Sequence, residues 1–205
     1  MKQKEDQNTL KEEFKITKSE LLSIPNIICY IRLLLIPVFV ALYIKAETQS
    51  EYFFATFVVL IASLTDFLDG FIARKFDMVT EFGKLLDPVA DKLMQFALLF
   101  VLLVKTNYVY ILVIIFLIKE ITMAITGYIF FKKGKKLDGA KWFGKVSTTV
   151  FYFTMSILIL FPKLYDYNKN IVYTLVIICA SFLILSFLLY GREYYTMYKE
   201  SYEVI

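Results

Sequence analysis

The sequence predicts an all-α, polytopic membrane protein: six transmembrane helices preceded by an N-terminal amphipathic helix at the membrane interface. Three observations lead there. Apolar residues make up 59% of the 205-residue chain and the mean hydropathy is +0.62, well above the apolar share of a soluble domain. Apolar runs recur along the chain, each near the roughly 20 residues a helix needs to cross hydrocarbon. Lysine and arginine, in addition, are divided very unequally between the two sets of connections that those runs define.

The first segment, 1–22, reads MKQKEDQNTLKEEFKITKSELL. It lacks the basic start and apolar core of a secretory signal. Leu10, Phe14 and Leu21 share one helical stripe, which fits a short helix lying at the interface; a solvated tail is the competing reading. The membrane domain, 23–205, follows. Its apolar runs place spans at approximately 26–45, 50–74, 84–105, 108–131, 146–162 and 171–191. The connections at 46–50, 106–108 and 163–170 are short, and the longest internal polar stretch, KKGKKLDGAKWFGK, separates the fourth and fifth spans.

Sixteen of the 23 Lys and Arg fall with the two termini, the 74–84 turn and the 132–145 loop. Only Lys45, Lys105, Lys163 and Lys169 fall on the opposite side, while Arg32, Lys92 and Lys119 lie within spans. This asymmetry predicts a multi-pass protein of the cell membrane with both termini and both basic connections in the cytoplasm. The basic stretch Lys132 to Lys141 is expected to touch anionic lipid rather than nucleic acid. The tyrosines clustered over 190–202 read as an interfacial belt.

Composition also excludes chemistry. The two cysteines, Cys29 and Cys179, lie inside apolar runs and suit neither a disulfide framework nor a zinc site. The absence of histidine removes imidazole acid–base catalysis and imidazole ligation. Any metal must then be held by oxygen, which favours Mg²⁺, Mn²⁺ or Ca²⁺.

The stretch Thr65 to Gln95, TDFLDGFIARKFDMVTEFGKLLDPVADKLMQ, carries the chemistry. Charged side chains at the ends of apolar spans must face protein, water or an ion. Asp66, Asp69, Gly70, Ala73 and Arg74 recur at steps of three and four, so they share one helical face; Gly83, Asp87 and Asp91 do the same on the next helix. Two antiparallel helices joined near 75–82 would therefore bring four carboxylates together. Their mutual repulsion calls for protonation or bound cations. A pair of divalent ions is the arrangement that suits phosphoryl chemistry. Gly70, Ala73 and Gly83 remove bulk on the same faces, leaving room for a flat base and a diphosphate. Arg74 offers a planar fork suited to phosphate oxygens.

The pattern Asp66-x2-Asp69-Gly70-x2-Ala73-Arg74-x8-Gly83-x3-Asp87-x3-Asp91 resembles the signature of the CDP-alcohol phosphotransferase family at all eight fixed positions. Eight matches at roughly 5% usage per residue arise by chance with a probability on the order of 10⁻¹⁰. The resemblance implies transfer of a phosphatidyl group from CDP-diacylglycerol to an alcohol, without a covalent enzyme intermediate, in a homodimer. It implies that Asp66, Asp69, Asp87 and Asp91 hold two Mg²⁺ or Mn²⁺ ions. Asp91 is also the implied general base, and Asp69, Gly70, Ala73, Arg74 and Gly83 line the CDP-lipid site.

The opening of the first span, SIPNIICYIRLLLIP, resembles bacterial phosphatidylglycerophosphate synthases, whose acceptor is glycerol 3-phosphate. A phosphate-bearing acceptor needs cations, and Arg32, Lys119, Lys145 and Arg192 are the candidates. Lys119-Glu120 stands where that subfamily has Arg-Glu, and Gly144-Lys145-Val146-Ser147-Thr148 resembles its Gly-Lys-x-Lys-Thr. Lysine loses the bidentate fork and Ser147 removes a charge. For Lys119-Glu120, an ion pair that merely orders helix packing is the competing reading.

Three other functions compete. A cardiolipin synthase of this fold would take phosphatidylglycerol as acceptor. A cation transporter would place its acids near the midplane rather than at span ends beside an arginine. A prenyltransferase would share aspartate motifs, but not this spacing or the embedded Gly-Ala-Arg.

Overall fold

The computed structural model describes residues 18–132 and 141–202, and all regular secondary structure among them is helical. The helices are α1 (Lys18–Leu21), α2 (Ile24–Lys45), α3 (Gln49–Lys75), α4 (Glu81–Lys105), α5 (Tyr110–Lys132), α6 (Trp142–Leu160), α7 (Leu164–Tyr167) and α8 (Lys169–Tyr202). Five of them, α2, α3, α5, α6 and α8, are long and apolar enough to cross a membrane. Across these helices large apolar side chains such as Leu34, Phe57, Leu60, Ile118, Ile177 and Leu188 face outward. A soluble fold rarely exposes so much contiguous apolar surface, and the chain is a multi-pass membrane protein.

The sixth expected span corresponds to α4. At 25 residues it has the length, but its first half carries Asp87, Asp91 and Lys92, which dilute its apolar character. Of the expected interfacial segment, residues 1–17, with Leu10 and Phe14, lie outside the described residues, and α1 is a single turn. The other departure is α8, which continues to Tyr202 instead of stopping at 191. The apolar run ends there, but the tail contains no proline. Gly191, with open space where a Cβ would stand, costs only about 1 kcal/mol relative to alanine.

The chain divides into two compact units, residues 1–97 and 98–205. In the first, α2 and α3 form a tightly connected antiparallel hairpin. Thr48 and Glu51 close a capping box at the start of α3: the Thr48 hydroxyl accepts from the Glu51 N–H, and the Glu51 carboxylate accepts from the Thr48 N–H at 2.9 Å. Just inside, Tyr43 meets Tyr52 edge-on at 5.1 Å between ring centroids, and Phe39 packs on Tyr43. Ala55 and Ala62 on α3 are buried, and small residues of this kind let helices approach closely in lipid.

The far end of α3 is stopped by backbone geometry. Asp77 adopts φ 53°, and the Met78 N–H reaches back to the Ala73 carbonyl at 2.9 Å. That is the six-to-one bond of a Schellman cap, whose left-handed position is most often glycine. The cap turns the chain from α3 into α4 within the short segment 76–80.

The second unit contains the remainder of α4 and α5 to α8. Phe116 of α5 stacks on Phe151 of α6, and Phe130 of α5 stacks on Tyr194 of α8. A Cβ at Gly144 would collide with the Tyr190 hydroxyl, so this glycine lets α6 and α8 meet. Tyr190 also packs edge-on against Phe143 at 4.7 Å. Two tyrosines of the expected interfacial belt are thus packing residues, while Tyr195 and Tyr198 are exposed.

Asp77→Val places a β-branched side chain in the left-handed region and should destabilise the fold by about 1–2 kcal/mol. Asp77→Gly should leave the thermal midpoint in detergent unchanged or higher.

Candidate active site

Polar side chains concentrate in the first unit, where α3 descends to the Asp77 turn and α4 leaves it. Asp66 and Asp69 lie one turn apart on α3, Asp87 and Asp91 one turn apart on α4, as the three- and four-residue spacing requires. Between the two pairs stands Arg32 of α2. Its Nη1 lies 2.6 Å from Asp66 Oδ1 and 3.1 Å from Asp91 Oδ1, and its Nη2 is ion-paired to Asp69 Oδ2. One guanidinium therefore joins carboxylates from two different helices to a third helix.

Depth separates the members of the cluster. Arg32 and Asp69 are 2% and 3% exposed, whereas the side chains of Asp66 and Asp91 are each 48% exposed. The first two form a floor, and the second two stand at an accessible mouth. A charge on the floor survives only because it is paired, and four carboxylates around one guanidinium still leave the site strongly negative. Arg32 Nε is buried without a hydrogen-bond partner, so the floor retains one unused donor.

Asp87 faces another neighbour. The Cys29 sulfur and carboxylate oxygens of Asp69 and Asp87 all lie within 4.8 Å of one another. Oxygen donors at this density suit a hard divalent cation. The thiol is a softer donor than Mg²⁺ prefers, so the carboxylates are the part of the set that fits such an ion.

The other expected site residues are distributed as follows. Arg74 is exposed and folds back over Gly70, its guanidinium 3.4 Å from where a Cβ would sit. A Cβ at Gly83 would stand 2.7 Å from Asn26 Oδ1 and 3.0 Å from Thr80 Oγ1. Ala73 is partly buried on the same face of α3. Arg32, expected to help hold the acceptor, stands among the aspartates. Lys119, Lys145 and Arg192 belong to the second unit. There Lys119 is largely buried and pairs with Glu120 at 2.6 Å, while Lys145 and Arg192 are exposed. Ser147, at the position of the missing lysine, is buried with no partner for its hydroxyl.

Sequence reasoning did not assign Cys29, Asn26 or Thr80 to this region. A signal for two of them was present: Asn26, Cys29 and Arg32 recur every three residues in an apolar span, and polar groups so placed face protein.

Comparison with known proteins identifies the family. The profile of the family described as CDP-alcohol phosphatidyltransferase matches residues 22–193. A Rickettsia felis protein named CDP-diacylglycerol–glycerol-3-phosphate 3-phosphatidyltransferase is 37% identical over 143 residues, covering 69% of this chain and 77% of its own. Proteins of the same name from Haemophilus influenzae and Escherichia coli are 40% and 32% identical. These alignments cover 62% and 70% of this chain and 70% and 80% of the relatives.

Arg32→Ala should destabilise the protein by about 3 kcal/mol or more, because it leaves buried Asp69 without its partner. Asp66→Asn, at the exposed mouth, should cost about 1 kcal/mol or less. Denaturant unfolding in detergent micelles distinguishes the two.

Proposed function

Because the chain belongs to the CDP-alcohol phosphatidyltransferase family, we propose that it transfers the phosphatidyl group of CDP-diacylglycerol to glycerol 3-phosphate. The products are phosphatidylglycerophosphate and CMP. That it is a CDP-diacylglycerol-dependent phosphatidyltransferase follows from the family and from the names of its relatives. The observation that carries the reading is the convergence of Asp66, Asp69 and Asp91 on a single cationic group. Acids gathered in this way can hold the divalent ions that neutralise charge during phosphoryl transfer. The names of the relatives favour glycerol 3-phosphate over phosphatidylglycerol as the acceptor.

In this reading Asp91 accepts the proton of the acceptor hydroxyl. Its half-exposed carboxylate suits that role, since the proton must come from a substrate arriving at the mouth. The acceptor oxygen bonds to the phosphorus that bears the diacylglycerol, the bond from that phosphorus to the CMP oxygen breaks, and CMP departs. Asp66, Asp69, Asp87 and Asp91 would hold two divalent ions, Mg²⁺ or Mn²⁺, which supply charge stabilisation on the diphosphate and on the leaving CMP. Arg74 reaches toward the diphosphate, with Asp69, Gly70, Ala73 and the backbone of Gly83 lining the nucleotide side. For the acceptor phosphate the candidate within the first unit is Arg32, and the candidates within the second are Lys119, Lys145 and Arg192.

We further place α4 as a sixth span of the membrane domain, 23–205. The excess of Lys and Arg near the termini, the 74–84 turn and the 132–145 loop supports a cytoplasmic active site. A homodimer is the assembly that the family resemblance implies.

Purified protein given CDP-diacylglycerol and Mg²⁺ or Mn²⁺ should release CMP with glycerol 3-phosphate, and chelation should stop it. CMP release confined to phosphatidylglycerol would overturn the acceptor assignment. Asp91→Asn should lower kcat by about 10²–10⁴-fold while CDP-lipid binding persists; retained turnover would remove Asp91 as the base.

A further inference from the structure

Gly83 belongs to the fixed pattern, yet the space its missing side chain leaves is filled from within the protein. Asn26 of α2 is 2% exposed. Its Nδ2 donates to the Glu20 carbonyl at 2.6 Å and to Thr80 Oγ1 at 3.1 Å. Thr80 Oγ1 in turn accepts from the Gly83 N–H at 2.9 Å, the bond expected of an N-cap residue at the start of a helix. Asn26 therefore holds the group that caps α4. Its Oδ1 would lie only 2.7 Å from a Cβ at position 83, a separation that real side chains do not tolerate.

Three levels of contact then line up along α2 and α4. Asn26 meets Gly83, Cys29 meets Asp87, and Arg32 meets Asp91. Steps of three residues on α2 answer steps of four on α4, so rows of side chains on the two helices interlock. A shift at the first level is passed to the other two through these successive contacts with α2, although Pro88 removes one backbone hydrogen bond within α4.

We propose that Asn26 is a positioning residue: it fixes the start of α4 against α2 and thereby sets where Asp87 and Asp91 stand. Position 83 must be glycine because Asn26 occupies that space, a requirement independent of any bound nucleotide.

A double-mutant cycle tests this. Gly83→Ala alone should lower turnover at least about fivefold, and Asn26→Ala alone should also lower it. In the Asn26→Ala background, Gly83→Ala should cost less than about twofold more, since the colliding amide is gone. A Gly83→Ala penalty of full size in both backgrounds would mean that the glycine serves substrate and would overturn the proposal. Additive losses of melting temperature would overturn it too, because they mark two unrelated packing defects. Asn26→Ser, which shortens the side chain but supplies a hydroxyl, serves if Asn26→Ala does not fold, and should likewise tolerate Gly83→Ala. The cycle reads on melting temperature as well as on CMP release. Should the wild-type chain release no CMP with any acceptor, the proposed reaction fails while the Asn26–Gly83 coupling is still measured.

Discussion

A guanidinium removed from solvent must find carboxylates or unfold its surroundings, and Arg32 finds three. Its partners come from α3 and α4, so one side chain ties together every helix that contributes to the carboxylate cluster. The carboxylates depend on it equally. Asp69 is buried, and four acids on two adjoining helices repel one another unless a cation stands among them. Stability and the gathering of acids are thereby fixed at the same atoms. The arrangement that keeps the first unit folded is also the one that brings together oxygen donors of the kind that suit divalent cations.

The division between a buried floor and an open mouth gives chemically identical residues different tasks. Asp69 is almost wholly removed from water, and its charge is matched by Arg32. Asp66 and Asp91 keep about half of their side-chain surface exposed and can exchange protons or partners with whatever enters. Two aspartates one turn apart on α3 thus differ in environment more than in sequence. Arg74 extends the same theme. It lies over Gly70 at the exposed edge, where its planar fork can meet phosphate oxygens arriving from outside.

Much of this was legible in the sequence, for a definite physical reason. Helical periodicity assigns residues to faces, so steps of three and four brought Asp66 to Asp69 and Asp87 to Asp91 before any coordinates. Apolar run lengths located the helices to within a few residues at most ends. What periodicity does not report is the partner opposite a face. Arg32 in an apolar span announced that it needed acids, but not which ones. Gly83 announced a missing Cβ, and only the structure shows Asn26 and Thr80 in that space. The same limit explains Tyr190 and Tyr194. Their clustering suggested the membrane surface, yet Gly144 and Phe130 lie opposite and draw them into packing. Asp77 is a different case: a left-handed aspartate leaves no mark on periodicity, and its neighbours include no glycine to flag the turn.

Synthesis delivers α2 and α3 to the bilayer before α4. From Leu93 to Val104 only Gln95 interrupts the apolar side chains of α4, a stretch of about 18 Å at the helical rise, against roughly 30 Å of hydrocarbon. Ahead of it α4 carries Glu81, Lys84, Asp87, Asp91 and Lys92, each of which opposes entry into lipid. Alone, such a segment is a poor candidate for insertion. Arg32 on α2 offsets part of that opposition through its pairing with Asp91. The ion pairs of the site thus bear on helix association: any displacement of α4 from α2 and α3 strips a buried guanidinium of a partner and opens the carboxylate cluster at the same time.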